Sequence, residues 1–306
     1  MACFSSSGNT KLTAIKQLVF GTVPAIADSS TQIHPFVSAS PESARSEIAD
    51  PSLNGSREET SVRLGGESTT FDLEFAHRPE QYDDFLEAGL FGEWDNNVLE
   101  VDSIENPMCM FLEQADIGVT RKYQDCLPNS FTLSAPLDGI ATLSLNMIGT
   151  SQKVEASPDT TPVDQVAGVL PYMHFDGQIE FDGSAIGYIQ DVAYTVNNNL
   201  TSVGGWSSIS SICSAVGGSE ITINLTAQFA DASFVAAAQD ETEHSFWFQL
   251  NDPTSSKWEK HEFTRVRVMS VSAPISGDGQ VIQTMVLKAL RNTVTGTSAV
   301  KITRSA

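Results

Sequence analysis

LSAPLDG at Leu133–Gly139 recurs as VSAPISG at Val271–Gly277, and the reading of that repeat decides the fold. The two prolines, Pro136 and Pro274, set an offset of 138. At that offset, without gaps, Met108, Met110 and Leu112 fall on Phe246, Phe248 and Leu250, Leu133 on Val271, Leu143 on Val281, and Met147 on Met285. These residues sit in runs where apolar and polar side chains alternate. The phase is kept between copies, so the same face is buried in both. Upstream the offset becomes 150: Phe71, Leu73 and Phe75 fall on Ile221, Ile223 and Leu225, and Phe85 on Val235. The difference is a twelve-residue insertion around Trp94–Glu105. Period-2 patterns align easily by chance, but here one order occurs twice: strand, short helix, strand, S-A-P strand, hairpin, strand.

At 306 residues the chain exceeds the ~100–150 of a single domain, which agrees with two units of similar size. The expected division is a first unit at 1–150, a linker at 151–168 and a second unit at 169–306. The linker, SQKVEASPDTTPVDQVAG, is rich in Pro, Ser, Thr and Asp. With 38 acidic against 17 basic residues, the net charge is −21. That balance argues against binding nucleic acid by phosphate neutralisation, which needs clustered Lys and Arg. An acidic surface serves DNA in another way, by repelling it from a conduit wall; the plainer reading is a solvated face that aids solubility. Apolar runs fall short of the ~18 residues of a membrane-spanning helix. The N-terminus shows no basic leader followed by an apolar segment, so no secretory signal is read and cytosolic synthesis is expected.

Along the chain, Lys11–Val19 reads as a first strand, and Ser38–Glu59, within a polar region at about 37–66, as an extended loop or arm too poor in apolar residues to pack. In ESTTFDLEFA, Phe71, Leu73 and Phe75 point one way and Thr70, Asp72 and Glu74 the other. Pro79 is expected to open a helix with Tyr82, Phe85, Leu86 and Leu90 inward, ended by Gly92. Asp231 is the expected N-cap of a shorter helix with Phe234, Val235 and Ala238 inward. Phe175-Asp176-Gly177 and Phe181-Asp182-Gly183 carry hairpin turn signals. A second long polar loop at about 197–218 takes the place in its unit that the Ser/Pro arm takes in the first.

Catalytic signatures are missing: there is no phosphate-binding loop, dinucleotide glycine set, H-E-x-x-H or G-x-S-x-G. The five histidines are dispersed, and Cys3, Cys109, Cys126 and Cys213 form no C-x-x-C pair, so neither a metal site, a cofactor nor a redox motif is read. Cys109 and Cys126 are expected as buried small hydrophobes. Asp72, Glu74, Asp83 and Asp84 are better explained as a strand's polar face and a helix N-terminus than as paired catalytic acids, and no enzyme activity is expected.

The order QLVFGTVPA (17–25), a long polar arm, STTFDLEFAHRPEQYDDFLEAGLFGEW (68–94), FTLSAPLDGIATLSLNMIG (131–149), VAYTVNNNL (192–200), ITINLTAQFADASFVAAA (221–238) and SGDGQVIQTMVLKALRN (276–292) resembles the tail tube proteins of long, non-contractile-tailed bacteriophages. The resemblance covers nearly the whole chain. It implies a mainly β protein of two tandem antiparallel β-sandwich or barrel units, each with one short flanking helix and long loops. It also implies a virion protein, assembled in the host cytoplasm, whose rings stack into a hollow tube for genomic DNA, with tail terminator, tape measure and tail tip proteins as partners and no membrane. Members with one unit form six-membered rings, so two units per chain would give a trimer of pseudo-sixfold symmetry; a single larger domain would give a true hexamer. Inner sheets would join into a closed barrel without free edges. Candidates to face the lumen are Thr70, Asp72, Glu74, Thr142, Ser144, Asn146, Thr222, Asn224 and Thr226. Candidates for contacts between rings or subunits lie in the long loops: Ser38, Arg45, Arg57, Glu59, Asn199 and Trp206. The competing class is a secreted β-sandwich module binding a ligand or carbohydrate, with Trp206, Trp247 and Trp258 as the aromatics to inspect.

Overall fold

The structure, a computed structural model, describes residues 7–17, 19–22, 32–51, 58, 61–155, 163–164, 169–230, 233–252, 254–275 and 280–305. Apolar–polar alternation yields strands throughout. The first half contains β1 (Thr10–Lys16), β2 (Gln32–His34), β3 (Ser38–Ala49), β4 (Val62–Ala76), β5 (Val98–Glu100), β6 (Met108–Gln114), β7 (Val119–Ala135), β8 (Thr142–Gly149), β9 (Ser151–Glu155) and β10 (Val163–Asp164). The second contains β11 (Gln178–Phe181), β12 (Ser184–Ala185), β13 (Ile189–Asn197), β14 (Thr201–Val203), β15 (Cys213–Ala215), β16 (Glu220–Gln228), β17 (Glu243–Asn251), β18 (Trp258–Ser272), β19 (Ile282–Ala289) and β20 (Lys301–Arg304). Helices α1 (Asp83–Leu90) and α2 (Ser233–Gln239) follow β4 and β16.

One long antiparallel sheet runs β3–β4–β8–β7–β13–β16–β19–β18–β17–β11–β12. A second layer in the first half runs β9–β7–β6–β1–β2, with β10 parallel to β2. Strand β7 belongs to both layers: Val119–Cys126 pairs with β6, and Leu127–Ser134 with β8. The fold is mainly β and sandwich-like, and among the described residues the sheet is open, with no ladder closing it into a barrel.

The pairing order β3–β4–β8–β7–β6–β1 recurs as β13–β16–β19–β18–β17–β11, with a helix in the same place each time. A register shift in β7 against β8 falls at Asn129, and one in β18 against β19 at Met269, an offset of 140. Phe71 pairs with Met147 as Ile223 pairs with Leu287, which sets 152 for β4 and β16. Each value is two more than the motif spacing suggests. A slip of two leaves every side chain on its own face, so alternation in the sequence cannot detect it.

Buried side chains of both halves form one continuous cluster, from Phe71, Phe85, Phe131 and Leu145 through Tyr194 to Ile223, Phe246 and Phe263. Tyr82, Phe85, Leu86 and Leu90 point inward as expected, but α1 begins at Asp83, with residues 79–82 in turns. Gly92 accepts no side chain, because a Cβ there would lie 2.3 Å from the Glu100 carbonyl oxygen. In α2, Phe234 and Ala237 are buried, while Val235 and Ala238 are only half-buried; the expected cap Asp231 lies outside the described residues. Asp182 and Gly183, both at positive φ, make the tight turn between β11 and β12.

Two polar stretches differ from expectation. Ser38–Ala49 is a strand of a long ribbon, not a loop, and the linker region opens as β9, whose Ser151–Glu155 pairs with β7. Backbone hydrogen bonding makes both, without the one-sided burial that leaves a trace in sequence. The Trp94–Glu105 insertion supplies β5, which pairs with β20 of the other half. Arg304 lies 4.1 Å from the Trp94 ring centroid and ion-pairs with Asp83. Cys109 and Cys126 are buried, and burial pushes the Cys126 thiol well up.

Candidate functional site

Alternate residues of a strand emerge on opposite faces of its sheet. Since Phe71, Leu73, Phe75, Leu143, Leu145, Met147, Ile221, Ile223 and Leu225 are buried, Thr70, Asp72, Glu74, Thr142, Ser144, Asn146, Thr222, Asn224 and Thr226 all emerge on the other face. The registers join them in rows. Ser38, Glu74, Ser144, Thr132, Thr195, Thr222 and Lys288 lie side by side from β3 to β19. Asn146 Nδ2 donates to Asp72 Oδ1 at 2.6 Å, and the hydroxyls of Thr132 and Thr195 are 2.8 Å apart where β7 meets β13. Thr132, Ser134 and Thr195 belong to this surface but were not singled out from sequence, although FTLSA (131–135) and VAYTV (192–196) alternate just as the chosen strands do.

Charge on this face is uneven. The first half contributes Glu42, Asp72 and Glu74, with Ser38 Oγ donating to Glu74 at 3.2 Å. In the second half acids meet bases: Lys288 Nζ is 2.6 Å from Glu220 and Arg267 Nη2 is 2.8 Å from Glu243. Hydrogen bonds from Arg265 and Arg267 hold the Glu243 carboxyl down at about 2.

Besides the two-residue β12 at its far end, the sheet is open at β3 and along the last residues of β18 among the described residues. Strand β3 pairs with β4 alone. On β18, pairing with β17 ends at Arg267, and Ser270–Ser272 pair only with β19. Beyond the sheet, β3 and β4 continue as a two-stranded ribbon to Ala49 and Val62, exposing Ile48, Val62 and Leu64. Arg45 fastens it, donating to the Leu64 and Gly65 carbonyls at 3.2 Å. The 197–218 region forms the β14–β15 hairpin, whose tip carries fully exposed Trp206 with exposed Ile209 and Ile212. Asn199, at positive φ, closes the hairpin base by donating to the Gly218 carbonyl at 2.8 Å. Arg57 and Glu59 lie outside the described residues.

Ribbon and hairpin tip meet at Glu67, a residue not singled out from sequence. Its N–H donates to the Ile209 carbonyl at 2.8 Å, and its carboxylate accepts from Ser43, Gln152 and Ser210 at 3.0, 3.1 and 3.3 Å. Trp247 is occupied: Lys260 Nζ lies 4.2 Å from its ring centroid, and its indole N–H donates to Glu180. Among the described residues, metal-ligand chemistry gathers at His77, Glu259 and His261, in the core and away from this face. No described helix is long and apolar enough to cross a membrane.

A wide polar sheet face, bare edges and projecting ribbons define a structural β protein built to associate. A family model described as phage tail tube protein matches residues 7–289. The chain therefore belongs to the phage tail tube protein family, and as such is a component of the virion tail that assembles with itself into a tube. No curated protein matches the chain.

Proposed function

We propose that the chain consists of two tail-tube units, about 1–150 and 169–306, and that three chains close a pseudo-sixfold ring. Rings stack into the conduit that delivers genomic DNA. The observation that carries this reading is the polar face running unbroken through the β7–β13 pairing, where one half continues the sheet of the other. The open edges are the matching parts of the same joint: β3 corresponds to β13 and β18 to β7. Transferring the register Val196–Phe131 through the ladders sets Ser43 of one chain against Val271 of the next, and Glu42 against Ser272. Closure would bury both edges, and the polar face would line the lumen. Its acids, Glu42, Asp72 and Glu74 foremost, would repel phosphate and let DNA slide. The ribbon and the Trp206 tip would grip the neighbouring ring. Tail terminator, tape measure and tail tip proteins are the expected partners of the finished tube, in a long non-contractile tail.

Electron microscopy of the purified chain over a concentration series tests the ring, with end-on averages expected to show hollow rings with threefold symmetry. True sixfold averages would overturn the trimer. Asp72→Lys with Glu74→Lys tests the lumen: tubes should still form and genome ejection should be impaired. Unimpaired ejection would remove these side chains from the conduit.

A further inference from the structure

We infer that His77, Glu259 and His261 form a binding site for a zinc-class divalent cation that clamps the two halves of the chain together. His77 follows β4 in the first half, while Glu259 and His261, two apart on β18, project inward from the second. All three are essentially sealed from solvent, at 1, 2 and 0% exposure. Both imidazoles converge on one carboxylate oxygen: His77 Nε2 and His261 Nε2 each lie 2.9 Å from Glu259 Oε1. The three donor atoms fall within 4.8 Å of one another. A zinc ion about 2.0–2.2 Å from each donor needs them about 3–3.6 Å apart, so to admit it Glu259 must draw back from its 2.9 Å contacts and the two imidazoles, within 4.8 Å of each other, must settle into that range.

Donor chemistry and surroundings fit the same occupant. Two imidazole nitrogens and a carboxylate suit zinc and its first-row neighbours better than magnesium or calcium, which favour all-oxygen shells. His261 Nε2, despite its short distance to Glu259, makes no aligned hydrogen bond. Its other nitrogen, Nδ1, is 3.1 Å from the Tyr194 hydroxyl, the kind of outer contact that fixes the orientation of a metal-ligating imidazole. Phe248 stacks on His261 with centroids 4.7 Å apart, and Tyr172 lies against His77 at 5.3 Å. An isolated carboxylate in such a place is costly; a dication with two neutral imidazoles compensates it. One tetrahedral position is left for a water.

The test uses the full chain, expressed with zinc in the medium and purified without chelator. Metal content per chain is measured by mass spectrometry, and melting is followed before and after EDTA and after addition of zinc or magnesium. The expected result is close to one zinc per chain and a melting temperature that falls on chelation and recovers with zinc alone. Zinc content should drop at least about tenfold in His77→Gln, and the cobalt-substituted chain should show visible ligand-field bands. If His77→Gln fails to fold, the chelation and cobalt measurements on the unaltered chain decide. Metal-free folded protein whose melting ignores zinc and which gives no cobalt spectrum would overturn the inference and leave a buried histidine–glutamate pair. Ring formation does not enter these readouts, so the site and the proposed assembly stand or fall separately.

Discussion

Strands β7 and β18 hold the same place in the two pairing orders, yet the outer edge of one is filled and that of the other is bare. Ser130–Ala135 of β7 carry β13, and Phe131 and Leu133 beneath are fully buried. The matching region of the second half leaves Met269, at the register shift of β18, 60% exposed and Ile275, three residues beyond the end of β18, 84% exposed. An unpaired edge with exposed apolar side chains beside it is an association hazard unless a partner covers it. In the proposed ring, the sealed joint within the chain would serve as the template for the joint between chains, down to its register.

Breaking the sealed joint should have the largest effect. Phe131 meets Tyr194 edge-on at 5.7 Å and presses so close to α1 that a Cβ on Gly89 would come within 2.6 Å of its ring. Phe131→Ala should cost about 3–5 kcal/mol in urea unfolding. Next comes acid, which should loosen the packing around His34 in the first half. Burial of His34 on β2 lowers its pKa from 6.5 to about 4, with Asp84 and a backbone bond to Gln81 opposing the shift. The unfolded chain takes up this proton first, so the His34 contribution to stability should be level above pH 6.5 and fall by about 3 kcal/mol on the way down to pH 4. The matching strand β12 holds only Ser184 and Ala185 and has no such group. Denaturation at pH 7 and pH 4.5 checks this, and His34→Gln should flatten that part of the profile.

The bare edge gives smaller but more specific outcomes. Ile275→Lys should leave the isolated chain within about 0.5 kcal/mol of its stability yet raise the concentration needed for assembly about tenfold, read by sedimentation. Equal assembly by the variant would detach this edge from the ring. Smallest is the hydroxyl pair Thr132–Thr195. Thr132→Val should cost about 1 kcal/mol, with a double-mutant cycle with Thr195→Val separating the pair from its surroundings.

What could be read in the sequence follows from burial. Runs such as Phe71–Phe75, Phe131–Ala135 and Ile221–Leu225 have one face in the core, so their alternation announces strand, face and repeat together. Ser38–Ala49 has neither face buried for most of its length and reads as loop, although its backbone is paired throughout. Strand β9 was hidden in the same way. The polar surface was partly legible, because choosing Asp72 or Asn224 required only the phase of a strand. Recognising Glu67 required knowing that residue 210 lies beside it. The grouping of His77 with Glu259, 182 residues away, is a product of packing alone.

The β7–β13 pairing also changes how an assembly would start. Joined by a covalent tether, these two strands meet at an effective concentration set by the chain and independent of how dilute the protein is. In the proposed ring every second lateral joint is therefore present before any molecules collide. A closed ring needs an encounter of three bodies where unfused units would need six, so its onset should depend far less steeply on the number of copies in the cell. Duplication in the gene would thus act as a kinetic device, letting tubes begin while the protein is still scarce.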